Sequence, residues 1–151
     1  MAQRGGVIGI HFASQLIDDV YRQRQAVSGF HTELDRWQKE MKGKYPDPYQ
    51  YMAQRYDMGT WQQTRGHQLE QSIPLPPLGK IVDHVDHIVQ LAGIDHVGVG
   101  TDYDLGCIPV DVDRADKLPN LTRELLRRGY SRSDLMKIWG GNFLRVYRQV
   151  L

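Results

Sequence analysis

The 151-residue sequence contains a single cysteine, Cys107. That excludes an internal disulfide framework and any zinc site built on several cysteines, and it is compatible with a reducing compartment. The sequence also lacks any run approaching the roughly 18 consecutive apolar residues of a membrane-spanning helix. At the amino terminus, Arg4 precedes only a short apolar run before His11, which is not the plan of a secretory signal. The expectation is a chain without a transmembrane segment, with a cytoplasmic location favoured. No internal repeat is present. With 40% hydrophobic and 25% charged residues, the composition excludes disorder as the main state and suits one ordinary domain.

The net charge of +1 hides a segregation. Ile81 to Asp113 holds seven aspartates, three histidines and no lysine or arginine. Arg114 to Leu151 reverses the sign, with nine Lys/Arg against three Asp/Glu. An acidic, His-rich block is what a cation site looks like in sequence, while a basic tail raises nucleic acid as a partner. The tail resolves by spacing: Arg123, Arg127 and Arg128 lie opposite Leu121 and Leu125, and Arg145 and Arg148 oppose Val146 and Val150. These read as solvated helix faces without interleaved aromatics, so no nucleic-acid partner is expected.

Residues 5–12, Gly-Gly-Val-Ile-Gly-Ile-His-Phe, fit a strand buried on both faces. From Gln15 to Lys42, apolar residues three, four or seven apart predict one long helix or a pair broken at Gly29. A weaker helical stretch covers Tyr49 to Met58, and Gly59 to Ser72 is polar without a readable period. Three prolines between Ile73 and Gly79 forbid helix and make an extended connector. Ile81, Val85, Ile88 and Ala92 then form one apolar stripe that Gly93 stops. Residues 96–101 read as a second buried strand, with Asp102 directly after it. Pro119 opens a helix that ends at Gly129, Ser131 with Asp134 predicts a capping box, and Gly140-Gly141 breaks the chain before Asn142 caps a last helix. Strand, helices, strand, helices is parallel α/β order. Two strands cannot bury their faces on each other, and a closed barrel has eight strands and typically about 250 residues.

Asp102 is the leading chemical candidate, because the carboxyl ends of parallel barrel strands carry catalysis. It suits a general base or a carboxylate metal ligand, and the competing reading is that Asp102 and Asp104 only shape a turn. His11, near the end of the first strand, either faces the same pocket or is a hydrogen-bonded core histidine. Gly98-Val99-Gly100 lies inside a strand and is not a phosphate loop. Asp83-His84-Val85-Asp86-His87 offers a metal-like pattern, but its histidines are three apart without the intervening Glu of a zincin. The favoured reading puts the aspartates in the first turn against the helix dipole and the histidines toward solvent. Cys107 has no nearby basic partner in sequence and reads as structural or incidental.

The segments Asp83-His84-Val85-Asp86-His87-Ile88 and Ala92 to Asp104 resemble the carboxyl-terminal signature of the membrane (renal) dipeptidase family of zinc metallopeptidases. Leu118 to Thr122, Glu124 to Tyr130 and Gly140 to Val146 are similar to that family's closing helices. The resemblance implies a (β/α)8 TIM barrel of the metal-dependent hydrolases, related to amidohydrolases, that hydrolyses dipeptides with two bridged zinc ions. It makes 5–12 the seventh strand, 15–79 a helical excursion with a Pro-rich connector, 80–93 a helix, 96–101 the eighth strand and 119–151 the closing helices. Asp102 then matches the family's catalytic aspartate, which meets the metal-activated water and the substrate amine. His11, Tyr103 and Asp104 become substrate-pocket candidates.

The same resemblance places every family zinc ligand upstream of this chain, so no metal ligand is expected in it. The arginine that receives the substrate carboxylate is absent as well. Tyr103 stands where the family has Phe, and Leu105 where it has Gly. Three expectations follow. The first is the last two βα units of a zinc dipeptidase barrel, inactive alone. The second is a noncatalytic module that pairs with itself or another protein through Trp37 to Trp61, which would allow a homodimer. The third, a mononuclear site on His84 and His87, is the weakest.

Overall fold

The order read from the sequence, strand, helices, strand, helices, is the order the structure shows. A computed structural model describes residues 1–47, 50–103 and 107–151. In chain order its elements are β1 (Ile8–Ile10), α1 (Ser14–Ile17), α2 (Asp19–Val27), α3 (Phe30–Lys44), α4 (Tyr51–Trp61) and α5 (His67–Glu70). Then come α6 (Gly79–Ala92), β2 (Val97–Val99), α7 (Pro119–Arg127), α8 (Arg132–Met136) and α9 (Asn142–Val150). The chain divides into two compact units, one of Met1–Asp18 with Leu75–Leu151 and the other of Asp19–Pro74.

In the first unit β1 and β2 pair in parallel, with Ile8 opposite Val97, Gly9 opposite Gly98 and Ile10 opposite Val99. The pairing runs past the strands, because the Gly100 amide donates to the Ile10 carbonyl at 3.0 Å and the Phe12 amide to the Thr101 carbonyl at 3.1 Å. Glycine is what lets the backbones meet here. A Cβ on Gly100 would lie 2.9 Å from the Gly9 carbonyl carbon, and one on Gly98 would overlap the Phe143 ring. The glycines before Asp102 therefore make room for protein packing.

The core joins Ile10, Phe12 and Ile17 to Ile81, Val82 and Val85 of α6, Val97 of β2, and Leu121 and Leu125 of α7. The apolar stripe of α6 faces both strands, and each fully buried aliphatic side chain of this kind contributes about 1.5–3 kcal/mol of transfer free energy. Gly93 (φ 92°) and Gly129 (φ 92°) take left-handed conformations at the ends of α6 and α7. Pro119 begins α7, and Ser131 with Asp134 forms the capping box of α8. A π-helical turn over Lys137–Gly141, non-helical at Gly140, leads into α9.

In the second unit Gly29, at φ 85°, separates α2 from α3 as expected, but the span from Gln15 to Lys42 is broken a second time, at the extended Asp18, into three helices rather than two. Phe30, Trp37 and Trp61 then cluster, with ring centroids 5.4 Å apart for Phe30–Trp61 and 6.1 Å for Trp37–Trp61. Asp57 accepts from Lys44 Nζ and the Tyr45 hydroxyl, each at 2.8 Å, tying the end of α3 to α4.

Several expectations are corrected. β1 is not buried on both faces: Ile8 and Gly9 are exposed and only Ile10 is buried, since two strands leave an open face. Residues 59–72 are largely helical despite their lack of a stripe, carried by the end of α4, a π-helical turn over Gln62–Gly66, and α5. Asn142 does not cap α9. Its amide instead donates to the carbonyls of Ile94 and Val97, both at 2.8 Å. Asp83 and Asp86 fall beyond the first turn of α6 and pair with Arg128. Arg128 and Arg145 are thereby removed from the solvated faces assigned to them, Arg145 through bonds to the Gly5 and Asp95 carbonyls.

Candidate active site

The parallel pairing brings His11 and Asp102 to the same end of the two strands. His11 follows Ile10 and Asp102 follows Thr101, and the bonds at Ile10 and Thr101 hold the two carboxyl ends side by side. There His11 Nε2 contacts Asp102 Oδ2. The other ring nitrogen, Nδ1, accepts the Ala13 amide hydrogen at 3.2 Å. Both side chains are about one-third exposed, at 30% for His11 and 34% for Asp102, so the pair is reachable from solvent.

Asp102 has φ 60°, in the left-handed region that L residues enter at a cost of about 1–2 kcal/mol. Asp tolerates it better than most, so the turn reading accounts for the residue type in part. A turn residue has no need of a histidine from another strand. Cys107, at φ 50°, ends the same loop, and its carbonyl accepts the Ser14 amide at 2.9 Å.

Tyr103 packs against the core, its ring edge-on to Phe12 with centroids 6.3 Å apart. Burial pushes its phenol above the ordinary value, with Asp113 and Asp116 adding to the effect. Its hydroxyl has no partner among the described residues. Asp104 lies outside the described residues.

The Asp83 to His87 pattern does not converge. His84 donates Nε2–H to the Ile17 carbonyl at 3.1 Å, and His87 is exposed. Asp83 and Asp86 both meet Arg128 Nη1, at 2.7 and 2.5 Å, while Tyr130 donates its hydroxyl to Asp86 at 2.7 Å. Burial and the Asp86 bond together hold the Tyr130 phenol above its usual range. Arg128 loses some cationic preference to burial, yet Asp83, Asp86 and Glu124 outweigh that and raise it overall. The cluster is a brace between α6 and α7. Among the described residues no three His, Cys, Asp or Glu side chains lie together as a metal site. No helix among them is long and apolar enough to cross a membrane.

At the opposite ends of the strands, His96 donates Nδ1–H to the Gly6 carbonyl at 2.7 Å, joining the start of β2 to the segment before β1. The sequence carries one signal for the register. Ile8-Gly9-Ile10 and Val97-Gly98-Val99 repeat one small-between-branched pattern, and aligning them sets His11 opposite Gly100, two residues before Asp102.

This helix-rich α/β chain has a carboxylate and an imidazole at the carboxyl ends of parallel strands, the end at which such folds generally carry their chemistry. The family follows from comparison. The membrane dipeptidase family (peptidase family M19) matches residues 1–151, and the chain belongs to it. Dipeptidase ataJ of Aspergillus terreus is 42% identical over 73 residues, which is 47% of this chain and 18% of that protein. Dipeptidase 3 of Rattus norvegicus is 39% identical over 77 residues, 50% of this chain and 16% of its own length. Among solved structures, the probable dipeptidase PvdM from Pseudomonas aeruginosa superposes with a TM-score of 0.64 at 27% identity, over 95% of this chain and 37% of that one. This chain thus spans well under two thirds of the relatives it matches.

Proposed function

We propose that the chain supplies the carboxyl-terminal part of a zinc dipeptidase, about the last two βα units of a (β/α)8 barrel, with Asp102 as its catalytic residue. One observation carries this reading: in a member of the membrane dipeptidase family, Asp102 stands at the carboxyl end of a parallel strand, about one-third exposed and paired with His11. Zinc does not fit the residues present. His11 has both ring nitrogens engaged, and no third ligand joins the pair among the described residues. The chemistry assigned to this chain is therefore that of the carboxylate. Asp102 takes the proton of the attacking water, returns it to the departing amine of the dipeptide, and offers a negative charge to the substrate's ammonium group.

On this reading the isolated chain does not hydrolyse dipeptides, with or without added zinc. A chimera in which residues 1–151 replace the matching segment of the Pseudomonas aeruginosa protein does, and Asp102→Asn lowers its kcat by about 10²–10⁴-fold. Turnover by the isolated chain, or full activity in the Asp102→Asn chimera, defeats the reading.

A noncatalytic interaction module is the second reading, and one observation moves it to a new place. The Trp37 to Trp61 aromatics pack on one another, whereas Met136, Trp139 and Leu144 are exposed together at the α8–α9 end. A stable oligomer dispersed by Met136→Lys, with no hydrolysis in the chimera, supports this alternative.

A further inference from the structure

Asp102 and His11 are joined more specifically than two polar residues at a strand end need to be. The Ala13 amide donates to Nδ1 of His11. A ring nitrogen that accepts an amide hydrogen carries none of its own, so the hydrogen of the neutral imidazole sits on Nε2. Nε2 is the atom that meets Oδ2 of Asp102. The backbone of Asp102 at φ 60° holds the carboxylate in a conformation that a regular strand continuation would not give. One end of the contact is thus fixed by a backbone amide, the other by an unusual backbone angle.

We propose that His11 is a positioning residue for Asp102: the ring, oriented by Ala13, donates Nε2–H to Oδ2 and leaves Oδ1 as the basic oxygen that meets the reacting group. This rests on the reading of Asp102 as the working carboxylate. The choice of side chain has a chemical logic. An ionised carboxylate accepts on both oxygens and can turn about its last torsion, so a free aspartate presents either oxygen. A lysine or arginine partner would hold it equally well, but a full positive charge at contact distance favours the ionised form and weakens it as a base. A neutral imidazole N–H orients the carboxylate with a smaller loss of basicity. Among the described residues no lysine or arginine contacts Asp102, and His11 is the side chain that does. The nearby Cys107 and Tyr103 serve other contacts, through the Cys107 carbonyl and the Tyr103 ring.

The test uses the full chain labelled with ¹⁵N and ¹³C. Long-range ¹H–¹⁵N spectra of the histidine rings near neutral pH should show His11 with a protonated Nε2 and a bare Nδ1. His96 is an internal control of opposite tautomer, since its Nδ1 faces the Gly6 carbonyl. The Asp102 carboxyl carbon should shift to the position of a solvated aspartate in His11→Leu and recover in His11→Gln, which restores an N–H donor at similar reach. In Asp102→Asn the His11 Nε2 proton should move upfield as a charged acceptor becomes a neutral one. An Nδ1–H tautomer at His11, or an Asp102 carboxyl signal identical in the wild type and a folded His11→Leu, overturns the proposal. Should His11→Leu fail to fold, the wild-type tautomer and the Asp102→Asn shift decide it alone, and an unmoved Nε2 proton is then the refuting result. The spectra fail separately from the hydrolysis experiment: a catalytic Asp102 with the wrong His11 tautomer refutes only the positioning role, and a correct tautomer with an inert Asp102 refutes only the catalytic one.

Discussion

Replacing Asn142 by Ala tests the joint that holds β2 to the closing helices. The side chain is 2% exposed and its amide gives one hydrogen to the Ile94 carbonyl and one to the Val97 carbonyl, each at 2.8 Å. A neutral hydrogen bond contributes about 1 kcal/mol net, and a buried group left without its partner costs about 1–3 kcal/mol. Carbonyls retain a second lone pair, so the lower part of that range applies. Asn142→Ala should therefore destabilise the chain by about 2–4 kcal/mol, which is about 4–16 °C in Tm for a chain of this size. Thermal melting followed by far-ultraviolet circular dichroism reads the total, and amide exchange at Val97–Val99 reads the joint itself. Asn142→Asp is the sharper variant. It keeps the shape but turns an ionised acceptor toward two carbonyls, so it should melt below Asn142→Ala near neutral pH. An alanine variant within about 1 °C of the wild type, or an aspartate variant more stable than alanine, would refute the reasoning.

Gly98→Ala should cost about 1–3 kcal/mol by overlap with the Phe143 ring, and Phe143→Leu in the same chain should recover part of it, as measured by urea midpoints in a double-mutant cycle. Arg128→Met leaves Asp83, Asp86 and Glu124 without their shared cation and should lower stability by about 1–3 kcal/mol, less at high salt. Glu124 is held down to about 2 by its bond to Arg127, with burial opposing and Arg128 assisting, against an ordinary value of 4.5. Because the folded value lies below the unfolded one, its contribution is complete above about 4.5 and disappears as pH falls toward about 2. The stability difference between the wild type and Glu124→Gln should shrink over that window; a difference constant with pH would count against the Arg127 and Arg128 pairing.

Local signals were legible in the sequence because their causes are local. The α6 stripe, the glycine ends of α6 and α7, Pro119 at the start of α7 and the Ser131–Asp134 box each depend on residues within one or two turns. The roles of Asn142, Arg128 and Arg145 leave no local signal because their partners lie far along the chain. A polar side chain beside a helix start looks like a cap until the strand base it reaches is known. The helices within residues 59–72 are silent in the sequence for another reason. Their packing uses Trp61 and Phe30 against Gly66, where a side chain's Cβ would come within 3.1 Å of Trp61, and that leaves no apolar period to detect. His11 and Asp102 were each placed near a strand end, but their meeting depends on register, which neither strand specifies alone.

The polar groups of the two strands divide by what they are bonded to, and that division separates the two ends of the sheet. At the amino ends, His96, Asn142 and Arg145 all donate to backbone carbonyls, of Gly6, of Ile94 and Val97, and of Gly5 and Asp95. Those carbonyls are spared the cost of going unpaired, and the side chains that satisfy them have little capacity left for a ligand. At the carboxyl ends the bonding changes character. Asp102 meets a side chain there, is about one-third exposed and keeps one oxygen beyond the contact with His11. A carboxylate held on one oxygen and open on the other can exchange a proton, whereas the anchored groups at the amino ends cannot do so without releasing the strands. The same two strands thus have one end whose polar side chains are bonded to backbone and one whose carboxylate is open to solvent. The residue types follow from that division: amide, guanidinium and a carbonyl-bonded imidazole at one end, carboxylate with an amide-oriented imidazole at the other.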